Sequence, residues 1–94
     1  MRYNGPMIRQ RVVVHGRVQG VFFRDTCRRE AASHRVAGWV RNLPDGSVEA
    51  VFEGEPPDVE AMTSWCRGGP SYAQVERVEV EQQPPTGERG FEVR

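Results

Sequence analysis

The stretch Ile8–Ser33, IRQRVVVHGRVQGVFFRDTCRREAAS, decides the fold because the spacing of its apolar residues changes halfway along. In Ile8–His15 apolar and polar residues alternate, which predicts a strand with one face on a core. Val21–Ser33 instead has the spacing of a helix, with Gly16–Gly20 as the connecting loop. The residues that would line one face of this helix are Phe23, Cys27 and Ala31.

The same two spacings return further along the chain. The residues Leu43–Gly46 carry the Pro-Asp-Gly chemistry of a tight hairpin turn. The pair Pro56-Pro57 suits the first turn of a second helix, and Gly68-Gly69-Pro70 would stop that helix. The strands predicted beyond the first helix are Val36–Asn42, Val48–Glu53, Val75–Gln82 and a short closing strand, Phe91–Val93.

This order of elements consists of two β-α-β halves joined by a hairpin. It specifies an α+β fold, the ferredoxin-like α/β sandwich βαββαβ, in which two helices cover one face of an antiparallel sheet. The 94 residues are enough for one core. We therefore expect one domain over residues 7–94, preceded by a flexible N-terminal lead-in over residues 1–6.

Charge and cysteine content exclude several classes of protein. The 13 acidic residues balance 13 basic ones, all arginine, whereas a nucleic-acid binder usually has a basic excess on one face. No apolar run is long enough for a membrane span or a secretory signal. Cys27 and Cys66 do not have the spacing of a zinc or redox motif. We expect two reduced, half-buried thiols in a cytoplasmic protein rather than a disulfide.

The loop Gly16–Gly20 is the first candidate site. Between a strand and a helix, two glycines let successive backbone N–H groups converge on an anion, and the helix dipole favours negative charge there. Arg24, in the first turn, can direct its guanidinium to the same point. The alternative is an ordinary glycine-bounded loop. The sequence matches neither a Walker A loop nor a dinucleotide fingerprint, so nucleotide hydrolysis by that route is excluded.

Asn42 is the second candidate, at the end of a strand just before the hairpin. Its side chain offers a donor and an acceptor, so it can hold a water molecule. The alternative is that this asparagine caps or tightens the turn, which is the commoner role of asparagine at such a position.

Together the two stretches resemble the two signatures of the acylphosphatase family. Gly16–Arg24 matches Gly-x-Val-Gln-Gly-Val-x-Phe-Arg, and Gly38–Val48 matches Gly-Trp-Val-Arg-Asn-x-x-x-Gly-x-Val. Gly54, Gly69-Pro70 and the closing Phe91-x-Val93 also resemble that family, so the likeness covers nearly the whole chain.

The resemblance implies hydrolysis of the carboxyl-phosphate bond of small acyl phosphates to a carboxylate and inorganic phosphate. It implies that Asn42 orients the attacking water. We expect a cytoplasmic monomer that needs no metal or cofactor. By the same similarity, the groups that bind the phosphoryl group are Arg24 and the backbone amides of Arg17, Val18, Gln19, Gly20 and Val21.

Other side chains suggest alternatives that the sequence favours less. His15 and His34 are acid–base candidates by residue type, but they fall on different elements and we expect structural roles for both. The aromatic residues Phe22, Trp39, Phe52 and Trp65 are better read as core or edge packing than as an RNA-stacking platform.

Two further functions remain as alternatives to catalysis by an independent enzyme. One is a non-catalytic anion-binding or regulatory module that keeps the loop. The other is an acyl-phosphate-handling domain of a larger enzyme, such as a carbamoyl-phosphate-dependent maturation factor.

Overall fold

A computed structural model describes residues 6–94 of the chain. Apart from Pro6, the predicted lead-in over residues 1–6 lies outside the described residues. The elements, in chain order, are β1 (Ile8–Arg17), α1 (Phe23–Ser33), β2 (Ala37–Asn42), β3 (Val48–Gly54), α2 (Pro56–Gly68), β4 (Gln74–Gln83) and β5 (Phe91–Val93). The predicted bounds agree with these to within two residues.

The strands form one sheet in the order β4-β1-β3-β2-β5, with two helices packed on it. Neighbouring strands are antiparallel except for β2 and β5, which are parallel, with Val40 opposite Val93. The α+β, ferredoxin-like prediction is confirmed: the four strands of the βαββαβ order are antiparallel, and the short β5 adds one parallel pair at this edge. After β4 the chain reverses once as it crosses to the opposite edge, so β5 runs in the same direction as β2.

The first strand is longer than predicted because its pairing with β4 continues past an irregularity in the register. The register shifts between His15 and Gly16, and Arg17 then lies opposite Gln74. At Gly16 the φ angle is 128°, and a Cβ there would lie 2.2 Å from the carbonyl oxygen of Gln74. Only glycine allows this close approach. The connecting loop therefore consists of residues 18–22 rather than residues 16–20.

The core lies between the helices and one face of the sheet. The predicted helix face is confirmed: Phe23, Cys27 and Ala31 are the buried residues of α1. Cys66 is buried on α2, and both thiols are free. The prediction of half-buried thiols is wrong, since both side chains are fully buried. Burial raises the pKa of Cys66 to about 12, so this thiol stays protonated and unreactive in the folded protein.

The other face of the sheet is held by ion pairs. The carboxylate of Glu53, on β3, accepts the N–H groups of Thr86, Gly87 and Glu88 at 2.9, 2.7 and 2.9 Å, and it pairs with Arg9 at 3.2 Å. These bonds fix the segment that leads from β4 to β5, and so they place β5 along β2 beside α1.

Candidate active site

Residues 18–22 connect β1 to the start of α1. The side chains of Val18 and Val21 are buried and anchor this loop in the core. Gly20 and Phe22 have positive φ angles of 72° and 61°, which curl the backbone as in an anion-binding nest. Within the described part of the chain, the N–H groups of residues 18–21 donate to no backbone acceptor. The loop therefore presents backbone donors beside the helix.

The N-terminus of α1 adds to this positive region. Phe22 is the N-cap residue and makes no side-chain capping bond, so no hydroxyl or carboxylate occupies the first N–H groups of the helix. Arg24 is the second residue of α1, and its Nη1 donates to the backbone oxygen of Arg94 at 2.9 Å. This contact brings the end of β5 to the site, a partner that sequence reasoning did not identify.

The structure brings Arg24 and Asn42 to one cavity. This cavity, of about 240 Å³, lies between the loop, the start of α1 and the ends of β2 and β5. Four of the five predicted amide positions lie in the loop itself, while Arg17 is the last residue of β1. The residues that line the cavity are Val18, Gly20, Phe22, Phe23, Arg24, Asp25, Asn42 and Val93.

The turn beside Asn42 is closed by other groups. Leu43 N–H donates to the backbone oxygen of Ser47 at 2.8 Å. The carboxylate of Asp45 accepts the backbone N–H of Ser47 at 2.9 Å and its hydroxyl at 2.5 Å. These bonds lower the pKa of Asp45. The side chain that tightens this turn is therefore Asp45 rather than Asn42. The side chain of Asn42 is exposed at the cavity.

Gln19 is a residue of the site whose side chain sequence reasoning missed. Its Nε2 donates to the backbone oxygens of Leu43 and Ser47 at 2.8 and 2.9 Å. The carboxamide thus joins the loop to the hairpin that carries Asn42. No local pattern signals this contact, because the partners lie 24 and 28 residues away along the chain.

Neither histidine lines this cavity. Nε2 of His15 lies 2.5 Å from a carboxylate oxygen of Glu79, on the strand paired with β1. His34 is the C-cap of α1, and its N–H donates to the backbone oxygen of Glu30 at 3.1 Å. The structural interpretation of both residues agrees with these positions, although the sequence had shown no carboxylate beside His15.

The aromatic residues separate into core and surface groups. Phe52 is buried and stacks on Phe91 at 5.9 Å, and Phe23 packs on Trp65 at 5.2 Å. A stacking platform on the open sheet face would need the ring of Phe52, which faces the helices. The expectation of packing is wrong for Phe22, because this residue is 71% exposed.

Among residues 6–94 no cluster of three or more histidine, cysteine, aspartate or glutamate side chains could hold a metal ion. No helix in that range is long and apolar enough to cross a membrane.

The chain is similar to proteins of one family. The Acylphosphatase family model matches residues 10–93. An acylphosphatase of Rubrobacter xylanophilus is 62% identical over 87 residues, which are 92% of this chain and 79% of that protein. The structure of an acylphosphatase from Coxiella burnetii matches with a TM-score of 0.90 at 39% identity, covering 94% of this chain and 93% of that one.

A similar unit occurs within a larger protein. The crystal structure of T. kodakarensis HypF matches 93% of this chain with a TM-score of 0.80 and 35% identity, but this is only 12% of the HypF chain. The family model and the much closer Rubrobacter relative decide the assignment: the chain belongs to the acylphosphatase family and is an enzyme that hydrolyses acyl phosphates.

Proposed function

We propose that Arg24 and Asn42 are the catalytic residues for cleavage of the carboxyl-phosphate bond of small acyl phosphates. Arg24 and the backbone amides of residues 17–21 bind the phosphoryl group, and the carboxamide of Asn42 orients the attacking water. The observation that carries this proposal is the single cavity lined by Gly20, Arg24 and Asn42, one residue from each part of the machinery.

The electrostatics of this cavity suit a phosphoryl dianion. The planar guanidinium of Arg24 matches two phosphoryl oxygens at once. The N-terminus of α1 contributes partial positive charge, and its lack of a side-chain cap leaves N–H groups for the ligand. Asp25 is the opposing charge at the cavity, and it lies at the exposed rim.

In this mechanism the oxygen of water attacks phosphorus while the bond from phosphorus to the acyl oxygen breaks. The bonding electron pair leaves with the carboxylate, and the water proton passes to a phosphoryl oxygen, so the products are a carboxylate and inorganic phosphate. A carboxylate leaving group has a conjugate acid with a pKa near ~4 and departs without a general acid. Positioning and charge stabilisation then supply the catalysis, as expected for a loose phosphoryl-transfer transition state.

Turnover of benzoyl or acetyl phosphate in excess EDTA tests this proposal. Arg24→Gln should lower kcat/KM by about 10³-fold, as loss of an oxyanion-stabilising donor does elsewhere, and should abolish competitive inhibition by inorganic phosphate. Arg28→Gln, one turn further along α1 and exposed, is the matched control. It should retain the wild-type kcat/KM and the inhibition by inorganic phosphate.

Three results would contradict the proposal. Turnover that disappears with the chelator would require a metal-dependent mechanism. Binding of inorganic phosphate without any turnover would support a non-catalytic anion-binding module instead. Full activity of Arg24→Gln would show that Arg24 does not bind the phosphoryl group.

We propose that the active enzyme is a monomer in the cytoplasm. The two free, buried thiols support a reducing compartment. Sedimentation equilibrium should give the mass of one chain, and cell fractionation should recover the activity in the cytoplasmic fraction. A stable larger assembly, or a partner that co-purifies with the enzyme, would favour the role as part of a larger acyl-phosphate-handling system.

A further inference from the structure

Phe22 lies where neither the backbone conformation nor burial favours an aromatic residue. Its φ angle of 61° is in the left-handed region, which glycine or asparagine adopts at lower cost than a bulky side chain. The residue is 71% exposed, whereas the adjacent Val21 and Phe23 are buried. Strained backbone of this kind concentrates at functional sites.

The ring of Phe22 forms part of the wall of the active-site cavity. It lines this cavity together with Arg24 and Asn42. It also lines an adjoining surface cavity with Arg17 and Tyr72. A group attached to a phosphoryl bound at the loop therefore comes within reach of the ring.

Apart from Phe22, most of the side chains that reach solvent in this cavity are polar. Arg24, Asp25 and Asn42 supply its polar side chains, while Val18 and Phe23 are buried beneath it. Its exposed large apolar side chains are Phe22 and Val93. An acyl group that prefers apolar surroundings therefore finds its largest contact on the ring of Phe22.

We infer that Phe22 forms the subsite for the acyl group and gives the enzyme a preference for aromatic acyl phosphates over the smallest ones. A second ring placed on an exposed ring buries apolar area on both partners and gains from aromatic stacking. The methyl group of acetyl phosphate covers little of the ring. The inference rests on the proposed binding of the phosphoryl group by Arg24 and the loop.

The test compares benzoyl phosphate with acetyl phosphate in the wild type and in variants of Phe22. The measured quantity is the ratio of the two kcat/KM values, which cancels any change at the phosphoryl site because the two substrates share that group. Phe22→Gly and Phe22→Ala should lower the ratio by about tenfold, the change that ~1.4 kcal/mol of binding gives. Phe22→Tyr keeps the ring and should therefore retain the wild-type ratio.

The variants are expected to fold. The backbone oxygen of Phe22 accepts the N–H and the hydroxyl of Thr26 at 3.1 and 2.8 Å, and no variant removes it. Glycine adopts the required φ without strain. Agreement between the glycine and alanine variants would assign the effect to the lost ring rather than to a more flexible backbone.

Tyr72→Ser is the matched control, because Tyr72 is an equally exposed aromatic residue that lines only the adjoining cavity. It should leave the substrate ratio unchanged. A second readout, without chemistry, is inhibition by phenylphosphonate relative to methylphosphonate. Phe22→Gly should weaken the phenyl compound by several-fold more than the methyl compound.

The outcomes separate this inference from the proposed function. An unchanged ratio in Phe22→Gly and Phe22→Ala, with acetyl phosphate still hydrolysed, would overturn the inference and leave the function in place. An equal decrease of the ratio in Tyr72→Ser would also overturn the inference. Absence of turnover by the wild-type enzyme with either substrate would refute the proposed function together with the inference.

Discussion

The carboxamide of Gln19 donates a hydrogen bond of 2.8 Å to the backbone oxygen of Leu43, the residue that follows Asn42. A second bond, of 2.9 Å, reaches Ser47 on the far side of the same turn. One side chain of the loop thus holds both ends of the hairpin turn. The separation between the loop of residues 18–22 and Asn42 is set by these two bonds as well as by the sheet.

Gln19→Leu should lower kcat by about tenfold or more, because small misplacements of reacting groups cost up to 10²-fold in rate. The backbone amide of residue 19 remains, so competitive inhibition by inorganic phosphate should change much less than kcat does. Loss of two hydrogen bonds should also lower the free energy of unfolding by roughly 1–2 kcal/mol. Steady-state kinetics and urea unfolding measure the two effects. Gln82→Leu, an exposed glutamine on β4, is the control and should alter neither.

Asn42 and Asp45 should show opposite phenotypes. Asn42→Ala should lose most turnover while inhibition by phosphate and the melting temperature stay near wild type, because the turn is closed by other residues. Asp45→Ala should lower the melting temperature and retain kcat for the folded enzyme. Equal loss of phosphate inhibition in Asn42→Ala and Arg24→Gln would show that Asn42 binds the phosphoryl group rather than the water.

The elements, and the two residues that we propose as catalytic, can be predicted from the sequence because their signals are local. Alternation along β1 and the four-residue spacing along α1 each fall within one segment. Arg24 and Asn42 are candidates because each lies at a fixed place in a motif at a strand–helix or strand–turn boundary, and the structure places both at one cavity.

The remaining features depend on contacts between distant segments. The bond from Gln19 to the hairpin spans 24 residues, and the direction of β5 depends on how Glu53 fixes a segment more than 30 residues later. The exposure of Phe22 was missed for another reason. An aromatic residue is normally buried, and no local pattern in the sequence indicates the positive φ angle of Phe22 or its exposure.

Asp25 should weaken substrate binding through its charge. It lines the cavity beside Arg24, is exposed, and lies in the first turn of α1. Asp25→Asn should lower KM by roughly two- to fourfold at low ionic strength, and the effect should shrink in high salt, where the Debye length is only about 3 Å at 1 M. KM measured against sodium chloride concentration tests this expectation.

The matched control is Asp58→Asn, in the first turn of α2 and away from the cavity. Both variants remove a carboxylate that favours a helix N-terminus, so both should lose up to about 0.5 kcal/mol of stability. Only Asp25→Asn should change KM. An equal change in the two variants would assign the effect to the net charge of the protein.

Glu53 should make the stability of the fold depend on pH. Burial raises the pKa of its carboxyl group, but hydrogen bonds from three backbone N–H groups and from Arg9 outweigh it and hold the pKa below its usual value. A carboxylate with a depressed folded-state pKa contributes its full stabilisation above the unfolded-state pKa, near ~4.3. This contribution decreases as the pH falls through the lower folded-state pKa.

Glu53→Gln should therefore cost about 2 kcal/mol or more in free energy of unfolding at pH 7, as expected for hydrogen bonds to a charged group. The gap between variant and wild type should narrow steadily as the pH is lowered from about 5 to 3. Urea unfolding across this range measures the gap, and Glu60→Gln, exposed on α2, should give a small, constant difference. A gap for Glu53→Gln that stays constant down to pH 3 would show that the negative charge of Glu53 is not what holds the segment before β5.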